Sequence, residues 1–205
     1  MKYFCCLLGL LWSGYVLADS SPAEIPLNQN LAAVDYFREG RQSGCGLRAT
    51  GEIKEGVWLN VLVNVMLKES GATLGIFKVA AKKVNMRDGE PILEGGQITY
   101  ASIGKTHKSW IKTESGVKPV PYKNGESGHG DGYMVTMEFP STMDLLAAIP
   151  QESFRVGFGI NKGEPDEVFE FDERIDQDEA NKLFTCMQNL RNEIEEGNTR
   201  SKNSF

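Results

Sequence analysis

Apolar side chains alternate from Val57 to Leu67 with a period of two, which is the period of a β-strand. Six of them share one face: Val57, Leu59, Val61, Val63, Val65 and Leu67. The opposite face interleaves two asparagines with larger apolar side chains: Asn60, Asn64, Trp58, Leu62 and Met66. Because this second face is only partly polar, we expect another part of the chain to cover it in part. The pattern therefore predicts a long strand with one fully buried face.

Several other segments alternate in the same way and are separated by turn residues such as Arg87-Asp88-Gly89. The predicted strands cover residues 73–84, 97–103, 105–113, 133–139, 154–160 and 168–171. A short helix is predicted at 143–148, and a longer one opens at Asp176 with an apolar stripe that can dock on a sheet. Bunched strands with helices near the ends are typical of a mainly β fold, all-β or α+β. We predict an antiparallel β-sandwich with the carboxyl-terminal helix packed on it.

The chain begins with the pattern of a secretory signal peptide over residues 1–18. Lys2 precedes an apolar run from Phe4 to Trp12, and Ala18 is the small residue at the expected cleavage site. The run is too short to span a bilayer. We therefore expect cleavage after Ala18, no membrane insertion of the mature chain, and a location in the periplasm or outside the cell.

The rest of the chain divides into a single domain with short polar ends. Residues 19–30 are polar and contain prolines, which predicts a flexible amino-terminal segment. Apolar residues at helical spacing from Leu31 to Phe37 predict a short amino-terminal helix. The sandwich domain then spans 31–196, and the polar residues 197–205 predict a disordered tail.

Cys45 and Cys186 are the cysteines that remain when the leader is removed. Two cysteines in an oxidising compartment most simply form one disulfide. They lack the C-x-x-C spacing that redox pairs favour, so the bridge has a structural role and ties the last helix to the first strand region. Gly44 and Gly46 flank Cys45 and predict a sharp backbone turn there.

The acidic balance of the chain excludes some partners. Its net charge is −6, and removal of the leader takes away Lys2 and no acid. Nucleic-acid binding needs clustered lysine and arginine, so we expect no nucleic-acid partner. The same excess of acid disfavours anionic lipid surfaces.

The loop Lys123–Gly132 holds the one cluster with catalytic residue types, His129 and Asp131 with Ser127 nearby. A hydrolase would use His129 as the general base. Against this, triad partners must converge in space, and neighbours in a glycine-rich loop seldom do so. The simpler interpretation is a hairpin loop whose glycines permit the turns, so we assign no catalytic residue.

The sequence gives little support for phosphate binding or for calcium binding. Gly104-Lys105-Thr106 resembles the end of a phosphate-binding loop, but Thr99 occupies the position of the first glycine. Acids in the 123–132 loop and in the stretch 164–173 could offer oxygen ligands to calcium, yet the spacing of a calcium-binding loop is absent. We predict no cofactor and assign no metal ligand, and cation binding stays an alternative.

Trp110 is the aromatic candidate for a binding surface, together with Gly128, His129 and Asp131. It lies on a predicted strand with Lys108 on its own face. The ring is either an exposed platform for a ligand or packed under lysine stems.

Residues 133–190 combine a strand, a short apolar helix, two further strands and a final helix. The motifs are Met143-Asp144-Leu145-Leu146-Ala147-Ala148-Ile149, Phe154-Arg155-Val156-Gly157-Phe158, Phe169-Glu170-Phe171 and a helix with Phe184, Cys186 and Leu190. This order is similar to the carboxyl-terminal half of the invasion-associated locus B-like β-sandwich proteins of bacterial periplasms. The resemblance implies a periplasmic location and a sandwich fold, and it brings no catalytic site.

The sequence therefore favours an exported, non-catalytic binding or accessory protein of the envelope, with an unknown protein or small-molecule ligand. It would act through an exposed sheet face or the Lys123–Gly132 loop. A hydrolase using His129 and Asp131 and a cation-binding protein are the alternatives. An enzyme would lose turnover on His129→Ala, whereas a cation-binding protein would melt at a higher temperature with calcium.

Overall fold

The computed structural model describes residues 23–104, 106–119, 121, 132–160 and 166–202, and it is mainly β. Its elements are β1 (Leu27–Arg38), β2 (Arg41–Lys54), β3 (Val57–Leu67), β4 (Thr73–Val84), β5 (Met86–Arg87), β6 (Glu90–Pro91), β7 (Leu93–Glu94), β8 (Gln97–Ile98), β9 (Tyr100–Ser102), β10 (Lys108–Thr113), β11 (Tyr133–Met137), α1 (Phe139–Ala148), β12 (Phe154–Gly159), β13 (Glu167–Phe171) and α2 (Gln177–Lys202). The predicted strands β3 and β4 are confirmed residue for residue.

The strands form two antiparallel sheets and two small hairpins. The large sheet has the order β1-β2-β3-β4-β11, with β9 also pairing β4, and it curls into a half-barrel. The small sheet has the order β10-β12-β13, and the hairpins are β5–β6 and β7–β8. The predicted strand 97–103 is thus divided, because β8 pairs with β7 whereas β9 joins β4.

The hydrophobic core lies between the two sheets and the two helices. One face of β3 is buried there, as its alternation predicts. The small sheet contributes Phe154 and Phe171, whose rings stack with centroids 5.0 Å apart. Leu145 on α1 and Leu190 on α2 complete the core from the helical side. The antiparallel sandwich with a carboxyl-terminal helix packed on it is therefore confirmed.

The prediction of a short amino-terminal helix is wrong, since residues 31–37 belong to strand β1. Leu31 pairs with Ala49 of β2 and is buried, whereas Phe37 follows a register shift after Tyr36 and is 64% exposed. The backbone hydrogen bonds that β1 forms with β2 stabilise the strand more than the weak helical periodicity of residues 31–37 favours a helix, because tertiary contacts override the intrinsic propensity of a short segment.

The described parts of the two polar ends contain regular secondary structure. Within the segment 19–30, Glu24 exchanges backbone hydrogen bonds with Val168 and Glu170 at 3.0 Å each, and β1 begins at Leu27. At the other end α2 continues to Lys202, beyond the predicted tail boundary at 197.

Gly44 and Gly46 lie in the regular strand β2 and not in the sharp turn that the sequence predicts. A Cβ atom at Gly46 would collide with the carbonyl oxygen of Val63 and with the Asn64 side chain. Asn64 crosses the sheet over this glycine, and its Nδ2 donates a hydrogen bond to the Tyr36 hydroxyl at 2.8 Å. Glycine is thus required here for close packing of side chains, not for backbone turning.

The predicted disulfide between Cys45 and Cys186 is confirmed, with the two Cα atoms 5.8 Å apart. It joins α2 to β2, and both half-cystines are buried. Gln42, also buried, donates hydrogen bonds from Nε2 to the carbonyl oxygen of Gly44 at 2.8 Å and to Cys186 Sγ at 3.0 Å. The bridge therefore belongs to the hydrophobic core beneath the helix, where Gln42 donates a hydrogen bond to one of its sulfur atoms.

Helix α2 also protects the open edge of the large sheet. Strand β1 is the edge strand, and the backbone N–H of Ala33 donates to Glu179 Oε2 at 2.7 Å. Lys182 pairs with the same carboxylate. The ammonium of Lys182 and the Ala33 N–H hold the pKa of Glu179 below its usual range. A helix side chain thus occupies an edge donor that could otherwise pair with another chain.

We expect Glu179→Gln to reduce the acid sensitivity of the protein. Because the folded pKa of Glu179 is lowered, its stabilising contribution is present above the ordinary glutamate pKa and is lost as pH falls through the folded value. The amide keeps an acceptor for Ala33 but removes the titrating charge. Unfolding free energy measured from pH 7 downward should therefore fall less steeply than in the wild type.

The matched control is Glu193→Gln on the same helix, which forms no salt bridge among the described residues. This variant should keep the wild-type acid profile. If the unfolding free energies of Glu179→Gln and the wild type fell equally steeply with decreasing pH, the contact of Glu179 with the edge strand would not govern acid stability.

Candidate functional site

Trp110, the aromatic candidate of the sequence, lies half-buried on β10 at the outer face of the small sheet. Its ring covers Gly157, where a Cβ atom would collide with the indole. The indole Nε1 donates to Asp166 Oδ2 at 3.0 Å, and Lys112 Nζ lies 5.7 Å from the ring centroid. One ring face and the indole N–H are therefore occupied by the protein's own residues.

Three other candidates, Gly128, His129 and Asp131, lie outside the described residues. The hydrolase and calcium alternatives therefore stay predictions. Gly132, the last residue of that loop, is described and buried, and a Cβ atom there would lie 3.2 Å from Ala80 Cβ and 3.5 Å from Lys78 Cε. Gly132 thus lies against strand β4 beside Lys78.

Three acids of the stretch near β13, Asp166, Glu167 and Glu170, are paired with cations, whereas Asp172 accepts a hydrogen bond from Gln29 Nε2 at 2.8 Å. Asp166 lies 2.7 Å from Lys108 Nζ, and Glu170 lies 2.7 Å from Arg155 Nε. No group of three or more histidine, cysteine, aspartate or glutamate side chains suited to a metal ion occurs among the described residues. The paired acids of this segment stabilise neighbouring lysine and arginine side chains.

A groove of about 800 Å³ lies on the outer face of the large sheet, opposite the core. We call it the outer groove. Its floor consists of three rows of side chains in register across β2, β3 and β4: Arg48–Leu62–Lys78, Thr50–Asn60–Ala80 and Glu52–Trp58–Lys82. Its wall comes from the segment that follows β4: Met86, Pro91, Ile98 and Tyr100. The groove is therefore a sheet face covered from one side by the small hairpins.

The two ends of the outer groove differ in character. The first and the last of the three rows are four residues apart along β3, which is about 13 Å at the rise per residue of a β-strand. One end contains Trp58, and the wall of the groove adds the aromatic ring of Tyr100 and the apolar side chains of Met86 and Ile98. At the other end Leu62 is flanked by Arg48 on β2 and Lys78 on β4, both exposed. The groove thus runs from an aromatic end to a cationic end.

The charges that line the groove are unequally engaged. Arg48, Lys78 and Lys82 form no salt bridge with any residue that the structure describes. Lys82 Nζ lies 5.8 Å from the centroid of the Tyr100 ring. In contrast, Glu52 accepts hydrogen bonds from the Gly56 N–H at 2.9 Å and from Asn28 Nδ2 at 3.0 Å. The cations are therefore available to a ligand, whereas the carboxylate of Glu52 holds the turn between β2 and β3.

The sequence indicated the floor of this groove without identifying it as a site. The second face of β3 carries Trp58 and Leu62, and its partial cover was expected from that pattern. The cover itself depends on hairpins of two-residue strands, β5 to β8, whose alternation is too short to detect.

A second depression, of about 850 Å³, lies between α1 and residues 116–118. Its lining combines alanines and Val117 with exposed charged side chains such as Lys118 and Asp144, and the described part of the lining has no aromatic ring. Ligand sites are lined mainly by apolar and aromatic side chains with a few polar groups, which favours the outer groove.

Within the described part of the chain, neither helix combines the length and apolar character that crossing a membrane requires. No protein-family profile, curated protein or solved structure matches the chain.

Proposed function

We propose that the protein is exported and acts outside the cytoplasm as a non-catalytic binding module that holds a small, elongated amphipathic molecule in the outer groove. Export is supported by the leader pattern of residues 1–18 and by the Cys45–Cys186 disulfide, since such bridges persist in oxidising compartments. The resemblance of residues 133–190 to periplasmic locus B-like proteins points to the same compartment.

The outer groove is the observation that carries the binding role. Its volume lies within the range of small-molecule sites, about 300 to 1,000 Å³. Trp58 and Tyr100 offer large apolar surfaces with polar edges, and Asn60 adds a hydrogen-bonding group on the floor between the two ends. An occupant that is apolar at one end and polar at the other matches this lining.

The composition of the groove favours binding over catalysis. Its described lining contains no histidine, cysteine or serine, so the usual nucleophile and imidazole base do not meet there. The wall and floor therefore serve to hold and orient a ligand.

We expect the neutral fluorescent probe N-phenyl-1-naphthylamine to bind the wild-type protein with a rise in emission. Ile98→Ser should weaken its affinity by about five- to tenfold, because part of the apolar wall is removed. Ile98 is exposed, so the substitution should leave the fold intact. The measurement is a fluorescence titration at constant protein concentration.

Phe184→Ser is the matched control, because it also replaces an exposed large apolar side chain by serine, on helix α2 and outside the groove. Its affinity for the probe should equal that of the wild type. Absence of saturable probe binding, or equal losses in the two variants, would contradict a ligand site in the outer groove.

A further inference from the structure

We infer that the ligand of the outer groove is an amphipathic anion, with its charged head group between Arg48 and Lys78 and its apolar body along Trp58. This inference rests on the proposed function and specifies its ligand class and orientation. It follows from the placement of charge along the groove.

The head-group end is defined by two cations on either side of Leu62. Arg48 and Lys78 are the cross-strand partners of Leu62 on β2 and β4. Neighbouring strands lie about 4.8 Å apart, so the two backbones are about 10 Å apart. Side chains of this length can converge on a single anionic group between them, and guanidinium and ammonium groups both bind carboxylate or sulfate oxygens.

Among the residues that the structure describes, no carboxylate pairs with either cation. Neither Arg48 nor Lys78 forms a salt bridge with a described residue, although the chain as a whole has a net charge of −6. The two acids of the described lining, Glu52 and Glu55, lie at the other end of the groove, so Arg48 and Lys78 form a local positive site beside Leu62. A concave site of one sign attracts ligands of the opposite sign.

The opposite end accepts the apolar body. Trp58 lies two rows away from Leu62 on the same strand, and Met86 and Ile98 face it from the wall. Both acids of the described lining, Glu52 and Glu55, belong to this end, and Glu52 is engaged by the Gly56 N–H and Asn28. Lys82 lies over the Tyr100 ring, where its charge is shared with an aromatic face. An anionic head group at this end would meet Lys82 alone, beside two acids, and would leave Arg48 and Lys78 unpaired, so the charges favour the opposite orientation.

The test compares decanoate, decanol and decyltrimethylammonium by calorimetric titration, below the critical micelle concentrations of the two ionic probes and below the solubility limit of decanol. The three probes have the same alkyl length and differ in head-group charge. We expect the wild type to bind decanoate about five- to tenfold more tightly than decanol, which is the range given by two partly exposed ion pairs, and decyltrimethylammonium most weakly. The preference for decanoate should decrease as salt is added.

The decisive variant is Arg48→Gln/Lys78→Gln, which removes both cations from exposed positions and leaves the apolar lining intact. It should bind decanoate and decanol equally, with decanol affinity unchanged from the wild type. The matched control is Lys68→Gln/Lys83→Gln, which removes the same charge from exposed positions outside the groove. The control should retain the preference for decanoate.

Several outcomes would overturn the inference and leave the proposed function standing. These are equal wild-type affinities for the three probes, a preference for decyltrimethylammonium, or equal loss of preference in the two double variants. Cosedimentation with phosphatidylglycerol vesicles without binding of monomeric decanoate would also overturn it, in favour of a membrane surface. Failure to bind both decanoate and the naphthylamine probe would instead refute the groove as a ligand site.

Discussion

Replacement of both half-cystines in a Cys45→Ala/Cys186→Ala variant should lower the free energy of unfolding by about 3 to 5 kcal/mol. The bridge joins positions 141 residues apart, and a cross-link that closes so long a loop removes much of the entropy of the unfolded chain. The chain-entropy estimate of about 5 kcal/mol is an upper bound, because native-state strain subtracts from it.

Guanidinium unfolding monitored by circular dichroism measures this effect, with the unfolding free energies of both proteins extrapolated linearly to zero denaturant. Dithiothreitol serves as the internal control: it should shift the wild type to the midpoint of the double variant and leave the variant itself unmoved. A difference below about 1 kcal/mol would mean that α2 is held by packing alone. Two free thiols in native protein would also refute export to an oxidising compartment.

The second large effect is expected for Phe154→Ala, at about 3 to 5 kcal/mol of lost stability. Phe154 is 1% exposed, and its ring stacks on that of its cross-strand partner Phe171. Truncation removes the apolar transfer energy and leaves a cavity between the small sheet and the core. Thermal or guanidinium unfolding measures the change.

The same substitution at an exposed phenylalanine shows whether the loss of stability comes from burial of the ring or from the change of residue type. Phe184→Ala removes a ring that is 64% exposed and should change stability by less than about 0.5 kcal/mol. A double-mutant cycle with Phe171→Ala should give a coupling of about 0.5 to 1.5 kcal/mol for the stacked pair. Similar losses at Phe154 and Phe184 would contradict the placement of the core between the two sheets.

The local sequence pattern was sufficient to predict an element and its bounds where one face of that element is buried along its whole length. Strands β3 and β4 were predicted to the residue, because each alternation persists over at least eleven residues. Helix α2 was predicted near its true start, where Asp176 Oδ1 accepts the N–H of Glu179 at 2.8 Å as a capping residue. Such signals are read from neighbours in the chain and need no knowledge of distant contacts.

Local pattern failed where a distant partner decides the conformation. Strand β1 carries apolar residues at helical spacing, yet it pairs along β2 as the edge of the sheet. Gly44 and Gly46 suggested a turn, whereas their role depends on side chains of β3 that cross over them. Helix α1 begins at Phe139, four residues before the predicted start, with Pro140 in its first turn, where proline is tolerated.

The outer groove illustrates the same division at the level of function. Trp58 and Leu62 were visible as apolar residues on the less buried face of β3. Their conversion into a site required the register that aligns Arg48 and Lys78 with Leu62, and the hairpins that bring Ile98 over the sheet. Register is set by pairing across the sheet, so no window of the sequence contains it.

The sequence by itself determined the mainly β composition of the fold, the disulfide pairing of Cys45 with Cys186 and the acidic net charge, because periodicity, cysteine number and charge are properties of the chain alone. Only the tertiary structure decided that residues 27–38 form an edge strand and that one sheet face becomes a groove with an aromatic and a cationic end. The physical reason is that backbone pairing and side-chain proximity between distant segments are satisfied globally, and those contacts outweigh the modest preferences of any short segment.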